Sequence, residues 1–317
     1  MLAETGTGST CQAYGGARSV VVMDNRAEIR DFLTTRRARL GPEQAGLPVY
    51  GGNRRVAGLR REEVALLAGV SVDYYTRLER GHLGGVSDAV LEAVAGALRL
   101  DEAERAHLFD LARTANTSTA SARARRRPAQ RHVRPGVQRV LDAMSTAPAY
   151  VRNGRLDVLA ANPLGRAVFA PLFDTAAASP NLARFMFLVP AARDFFVEWE
   201  RLAGDTVALL RAEAGRDPYD RALCELIGEL STRSEPFRTL WAAHQVRQHR
   251  SGVKHFHHPV VGDLVLAYES MEITADAGLR LNAYTAEPGS PSVEALNLLA
   301  SWTAAPPEGR PAHSDRA

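Results

Sequence analysis

Between Ser71 and Arg77 the sequence collects the side-chain types that read base-pair edges. The Arg77 fork can take both acceptors of a guanine, Thr76 and Val72 can touch a thymine methyl, and Asp73 can accept from the amino group of a cytosine. Each well-made pair discriminates by about 1–3 kcal/mol. Upstream, Arg60 and Arg61, together with the Ser71 hydroxyl, have the chemistry of phosphate contacts, which position a protein on a duplex without reading it. Enzymatic chemistry is poorly served. The chain has no Gly-x-x-x-x-Gly-Lys loop, no Gly-x-Gly-x-x-Gly turn, no Gly-x-Ser-x-Gly elbow and no His-Glu-x-x-His pair, so no catalytic residue and no cofactor is expected. The run His255-Phe256-His257-His258 invites a metal reading. On a strand, however, His255 and His257 share a face while His258 points away, and no third ligand follows at standard spacing, so no metal is expected.

Reading helices need a scaffold that projects them, and the surrounding periodicity supplies one. Ile29, Phe32, Leu33 and Leu40 recur at helical spacing after the capping residues Asp24-Asn25, and Gly41-Pro42 stops the pattern. A second helix begins at Arg60, with Glu62-Glu63 complementing its macrodipole and Val64, Leu67 and Ala68 facing inward. Ser71 caps a third, whose Tyr75 and Leu78 belong to the core and which Gly81 ends. The connection Ala68-Gly69-Val70-Ser71 is so short that the two helices must cross steeply, leaving the third to project as a helix able to enter a major groove. Helices over Ser87–Leu98 and Glu102–Arg113 complete a five-helix, all-α helix-turn-helix domain.

Residues 114–134 switch to Thr, Ser, Ala and Arg without apolar period and read as an Arg-rich linker. Beyond them the pattern is mixed. Helices are expected over 137–145, 162–171, 181–188, 191–214, 217–231, 235–249 and 291–302. Short strands flank Asn153-Gly154, a two-residue hairpin signal, and longer ones cover Val253–His257, Leu264–Ile273 and Leu279–Thr285. An α+β domain with an antiparallel sheet follows. The expected organisation is an extension over 1–22 with translation starting at Met23, a DNA-binding domain over 23–113, the linker over 114–134, a second domain over 135–303 and a tail over 304–317.

Charge supports the division. Residues 1–134 carry 21 Arg against 15 acids, whereas residues 135–317 carry 18 basic and 21 acidic residues. A basic front on a mildly acidic back is the layout of a nucleic-acid reader joined to another module, although Arg is the default cation throughout and Lys254 is the only lysine. Cys11 and Cys224 cannot build a disulfide framework. No apolar run of membrane-spanning length and no signal peptide is present, so a cytoplasmic location is expected.

The stretch from Arg60 to Gly81 resembles the Cro/repressor-type (XRE) helix-turn-helix. With Asp24-Asn-Arg-Ala-Glu-Ile-Arg30 and Ala45-Gly-Leu-Pro48, it is similar to the MmyB-like regulators of actinobacteria. The resemblance continues through Trp241-Ala-Ala-His-Gln-Val-Arg247, Phe256-His-His-Pro-Val-Val-Gly262 and Tyr284-Thr-Ala-Glu-Pro-Gly-Ser290, so it spans roughly 24–302. It implies a transcription regulator whose back half is a PAS-like domain that senses fatty-acid-like ligands and so tunes DNA binding. It also pairs Glu79 with Arg37 as a structural contact. A double-stranded operator and a homodimer matching a palindromic site are the implied partners.

A pocket for such an amphiphile needs an aromatic lining and a few convergent polar groups. The residues offered for it are Asn162, Trp199, Trp241, His244, Arg247, His258, Tyr268 and Tyr284, with Arg247 and His258 expected at a carboxylate head group. Asn162 has the alternative role of a helix cap, and the aromatics that of ordinary core. The competing functional readings are a back half that only dimerises or binds protein and, less favoured, an enzyme acting on a small ligand.

Overall fold

The computed structural model describes residues 24–47, 56, 58–116, 132–175, 179–243 and 251–304. The chain divides into two compact units, one formed by residues 1–128 and 203–248 and the other by 129–202 and 249–317.

In the first unit, α1 (Asn25–Arg39) is capped by Asp24, whose carboxylate accepts from Arg26 N at 3.0 Å. It buries Ile29, Phe32 and Leu33 against α2 (Arg61–Leu67), α3 (Val72–Glu79), α4 (Asp88–Ala97) and α5 (Glu102–Asn116). These five helices are the all-α domain the periodicity predicts. At the head of α5, Asp101 and Glu104 cap each other's backbone N–H groups, and Glu104 also takes Arg36 at 3.1 Å and Arg39 at 2.8 Å.

The same unit includes α11 (Trp199–Arg216) from Ala203 onward, α12 (Arg221–Arg233) and α13 (Glu235–Ala242). Arg211 of α11 is fully buried. Its Nη1 meets Glu28 of α1, its Nη2 donates to the Trp241 carbonyl, and its guanidinium lies 4.2 Å over the Trp241 ring. Gly215 makes the crossing possible, because a Cβ there would stand 2.6 Å from His107 Cε1. Thr114 Oγ1 donates to the Gly215 carbonyl at 3.0 Å beside it.

The second unit is α+β. Its five-stranded antiparallel sheet has the order β2-β1-β5-β4-β3, with β1 at Ala149–Arg152, β2 at Val158–Ala161, β3 at Ser251–His258, β4 at Gly262–Glu272 and β5 at Arg280–Thr285. Along β4 burial alternates, with Leu264, Leu266, Tyr268 and Ser270 inward and Val265, Ala267, Glu269 and Met271 outward. On the face of β1 and β5 opposite that interior, Val151 and Leu281 pack with Leu141 of α6 (Pro135–Ala143). The helices α7 (Pro163–Val168), α8 (Ala170–Asp174), α9 (Leu182–Leu188) and α10 (Ala191–Phe195) lie between β2 and β3 in the chain, and α14 (Pro291–Ala304) packs on β4 and α7. No helix among the described residues is long and apolar enough to cross a membrane.

Three expectations are revised. The hairpin at Asn153-Gly154 is not a two-residue turn but a loop over 153–157, because the Asn153 side chain binds both the Asp157 N–H and carboxylate, and Leu156 accepts a φ of 67° to stay buried. The single helix expected over 191–214 is broken after Phe195, where Phe196 pairs with Phe256 and Val197 N donates to His255 O at 3.2 Å along the edge strand β3. Such bonding satisfies an otherwise open sheet edge. The helix expected over 162–171 is two short helices meeting at Phe169. The extension over 1–22, most of the linker and the end of the helix expected over 235–249 lie outside the described residues.

Candidate functional site

In the first unit the turn between α2 and α3 has the geometry its length requires. Gly69 adopts φ +64°, a conformation in which side chains other than glycine are strained, and Val70 N then donates to Ala65 O at 3.0 Å. Ser71 Oγ accepts from Tyr74 N at 3.1 Å and starts α3. Tyr75 and Leu78 are sealed in the core, whereas Ser71, Val72, Asp73 and Arg77 are exposed and Thr76 is half-buried. The four side chains expected at base edges, Val72, Asp73, Thr76 and Arg77, therefore share one outward face of α3. Arg77 lies 5.2 Å over the Tyr74 ring, which limits the rotamers of its fork.

Arg60 and Arg61 stand exposed at the start of α2, where Glu63 accepts from Arg60 N at 2.6 Å. Arg61 does more than the sequence indicates. Glu79, at the end of α3 and 1% exposed, takes Arg37 Nη2 at 2.8 Å and Thr34 Oγ1 at 3.0 Å on one oxygen and Arg61 Nε at 2.9 Å on the other. Burial alone would raise the Glu79 pKa, but the hydrogen bonds from Arg37, Arg61 and Thr34 together hold it below the usual glutamate value. The Arg37–Glu79 pair is the one the resemblance implies. Arg61 is the addition, and it ties the start of α2 to the end of α3.

In the second unit, the inward face of the sheet carries polar groups along one edge of an aromatic core. Across three strands Tyr150, Asn282 and Ser270 stand directly opposite one another, since Tyr150 pairs with Asn282 and Asn282 with Ser270. Tyr284 and Tyr268 form the adjacent row, with the Tyr150 and Tyr284 hydroxyls 3.1 Å apart. Burial raises the pKa of both Tyr150 and Tyr284, and the charge of nearby Arg152 works against that rise. Lys254 Nζ lies 4.4 Å over the Tyr268 ring. Beyond the tyrosines, Phe169, Phe195 and Phe256 pack edge-on or tilted with centroids 5.3–6.1 Å apart.

Of the residues offered for ligand, Tyr268 and Tyr284 come together here. Trp199 is buried in the same unit, donating from Nε1 to Met186 O at 3.1 Å under the Arg193 guanidinium. His258 is committed to the fold: Nε2 donates to Ala167 O at 3.0 Å, and Nδ1 accepts from Val260 N and Val261 N. Its pKa is lowered by burial, against the hydrogen bond to Ala167. Asn162 caps α7 with every position filled. Its Oδ1 accepts from Gly165 N and Ala149 N, and its Nδ2 donates to Met144 O and Ala147 O. Trp241 belongs to the first unit, stacked on Phe237 under Arg211. His244 and Arg247 lie outside the described residues. His257 pairs with Asp263 at 2.7 Å, and the described residues contain no group of three or more His, Cys, Asp or Glu able to hold a metal ion.

Sequence reasoning missed Tyr150, Arg152, Ser270, Asn282 and the Glu28–Arg211 pair. The alternation Leu264, Leu266, Tyr268, Ser270 carries the signal that a polar residue falls on a buried face. Which strands lie beside it does not follow from any one segment.

Two family models match the chain. A helix-turn-helix domain matches residues 28–108, and the MmyB-like transcription regulator ligand binding domain matches residues 133–299, more than half of the chain. The second range takes in 203–243, whose helices belong to the first compact unit. No curated protein gives a significant match.

Proposed function

Since this chain belongs to the MmyB-like transcription regulators, with a helix-turn-helix domain and a ligand-binding domain, we propose that α3 enters the major groove of an operator while the back half senses a fatty-acid-like amphiphile. Arg77, Thr76, Asp73 and Val72 read base edges, and Arg60, Arg61 and Ser71 hold phosphates. The observation that carries the reading is the division of α3 into a sealed side, Tyr75 and Leu78, and an open side bearing all four base-edge groups. The protein acts in the cytoplasm as a homodimer on a palindromic site, with half-sites about one helical turn apart. The working organisation is a DNA-binding domain over 23–113, an Arg-rich linker over 114–134 and a ligand-sensing domain over 135–303. Tyr268, Tyr284 and Trp199 supply apolar area near the ligand. No reaction is assigned to the back half.

The test is extraction and mass spectrometry of lipids that co-purify with the full chain, followed by operator binding before and after their removal. Recovery of an amphiphile whose removal shifts operator affinity is expected. A chain that carries none, and whose DNA affinity ignores added fatty acids, contradicts the sensing reading and leaves a back half that only dimerises or binds protein.

A further inference from the structure

Of the buried polar atoms in the second unit that have no hydrogen-bond partner among the described residues, two stand on neighbouring strands of the sheet: Asn282 Nδ2 and Ser270 Oγ. Their residues are 4% and 8% exposed and stand opposite each other on β5 and β4. A buried donor without an acceptor costs free energy, so a fold keeps one where something else supplies the acceptor. The surroundings say what kind. Tyr150 flanks Asn282 on β1, and Arg152 follows on the same strand, close enough for its charge to act on the Tyr150 and Tyr284 hydroxyls. Phe169, Phe195 and Phe256 lie beyond the tyrosines, so the surroundings of the two atoms pass from cationic and polar to purely aromatic.

We propose that Asn282 and Ser270, beside Arg152, hold the carboxylate of the ligand, with its chain laid along the phenylalanines. Carboxylate oxygens accept from the Asn282 amide and the Ser270 hydroxyl, and Arg152 supplies the opposite charge. This rests on the ligand-sensing reading and adds to it the site and the chemical group that is recognised.

The test uses the full chain stripped of lipid and titrated by calorimetry with dodecanoate and with dodecanol, which share a chain and differ at the head. Wild type is expected to prefer dodecanoate by about tenfold or more, the scale of one hydrogen bond to a charged group. In Asn282→Leu and in Ser270→Ala the preference collapses toward unity while dodecanol affinity holds, and the ligand-free melting temperature stays equal or rises, because an orphaned group has been removed. Equal binding of both compounds by wild type overturns the head-group assignment and leaves ligand sensing standing, as expected if the two atoms merely hold water. Variants that keep the preference, or that melt lower and lose both compounds together, overturn it as well. Failure of wild type to bind either compound removes the sensing reading and this assignment together.

Discussion

Arg61 Nε lies 2.9 Å from Glu79 Oε2, so the guanidinium at the start of α2 is braced by the carboxylate at the end of α3. A cation held in this way has less rotamer entropy to lose if it meets a phosphate, the role proposed for it, while half of its side chain remains exposed. Arg61→Ala is therefore expected to weaken specific and random duplexes alike and to reduce the slope of log affinity against log salt by about 0.9. Because Glu79 is buried but keeps Arg37 and Thr34, the stability cost should be about 1–3 kcal/mol. Anisotropy titrations over a salt series, with denaturant melts, check both numbers.

Arg77→Ala should act differently. Loss of a bidentate guanine contact costs about 1–3 kcal/mol at one base pair and leaves random-duplex affinity nearly unchanged. Binding to a set of singly substituted operators measures this, and uniform weakening across the set would reassign Arg77 to the backbone.

Glu79 makes the stability of the helix-turn-helix depend on acid. Its folded pKa lies below the ordinary 4.5, so the unfolded chain takes up its proton first as pH falls. The stabilisation is complete above the ordinary value and is lost as pH drops from there through the lower folded value. Glu79→Gln should cost about 1–3 kcal/mol at neutral pH and flatten the acid limb of a stability-against-pH curve.

Arg211 and Glu28 form a pair in which both partners are buried. Removing Arg211 takes the guanidinium from a buried carboxylate, so Arg211→Ala should destabilise the first unit by about 3–5 kcal/mol, and the double change Arg211→Met with Glu28→Leu should recover much of that. Urea unfolding of the full chain followed by far-UV circular dichroism and tryptophan fluorescence is the measurement.

Asn162→Ala should remove four hydrogen bonds at once and lower the stability of the second unit by roughly 2–5 kcal/mol. Ligand preference should not change between carboxylate and alcohol heads, which separates Asn162 from Asn282.

The local parts of this structure were legible in the sequence because local physics sets them. Ser71 caps, Gly69 turns, and the spacing of Tyr75 and Leu78 orients α3 before any tertiary contact forms. The strands β3, β4 and β5 follow from alternation in the same way. What pairs across long separations was not legible. Arg211 and Glu28 are 183 positions apart, and nothing in either segment names its partner. Likewise the Tyr150–Asn282–Ser270 row depends on β1 lying between β2 and β5, an order fixed by packing. Asn162 reads equally as cap or ligand contact until its four partners are located, and Asn153-Gly154 reads as a tight turn until Leu156 is seen to be buried.

Whether α3 reads sequence is decided by selecting duplexes from a random pool with the full chain. Enrichment of one palindromic motif is expected, with loss of a single base preference in each half-site when the selection is repeated with Arg77→Ala. A pool in which no sequence outcompetes scrambled duplex after successive rounds would contradict it.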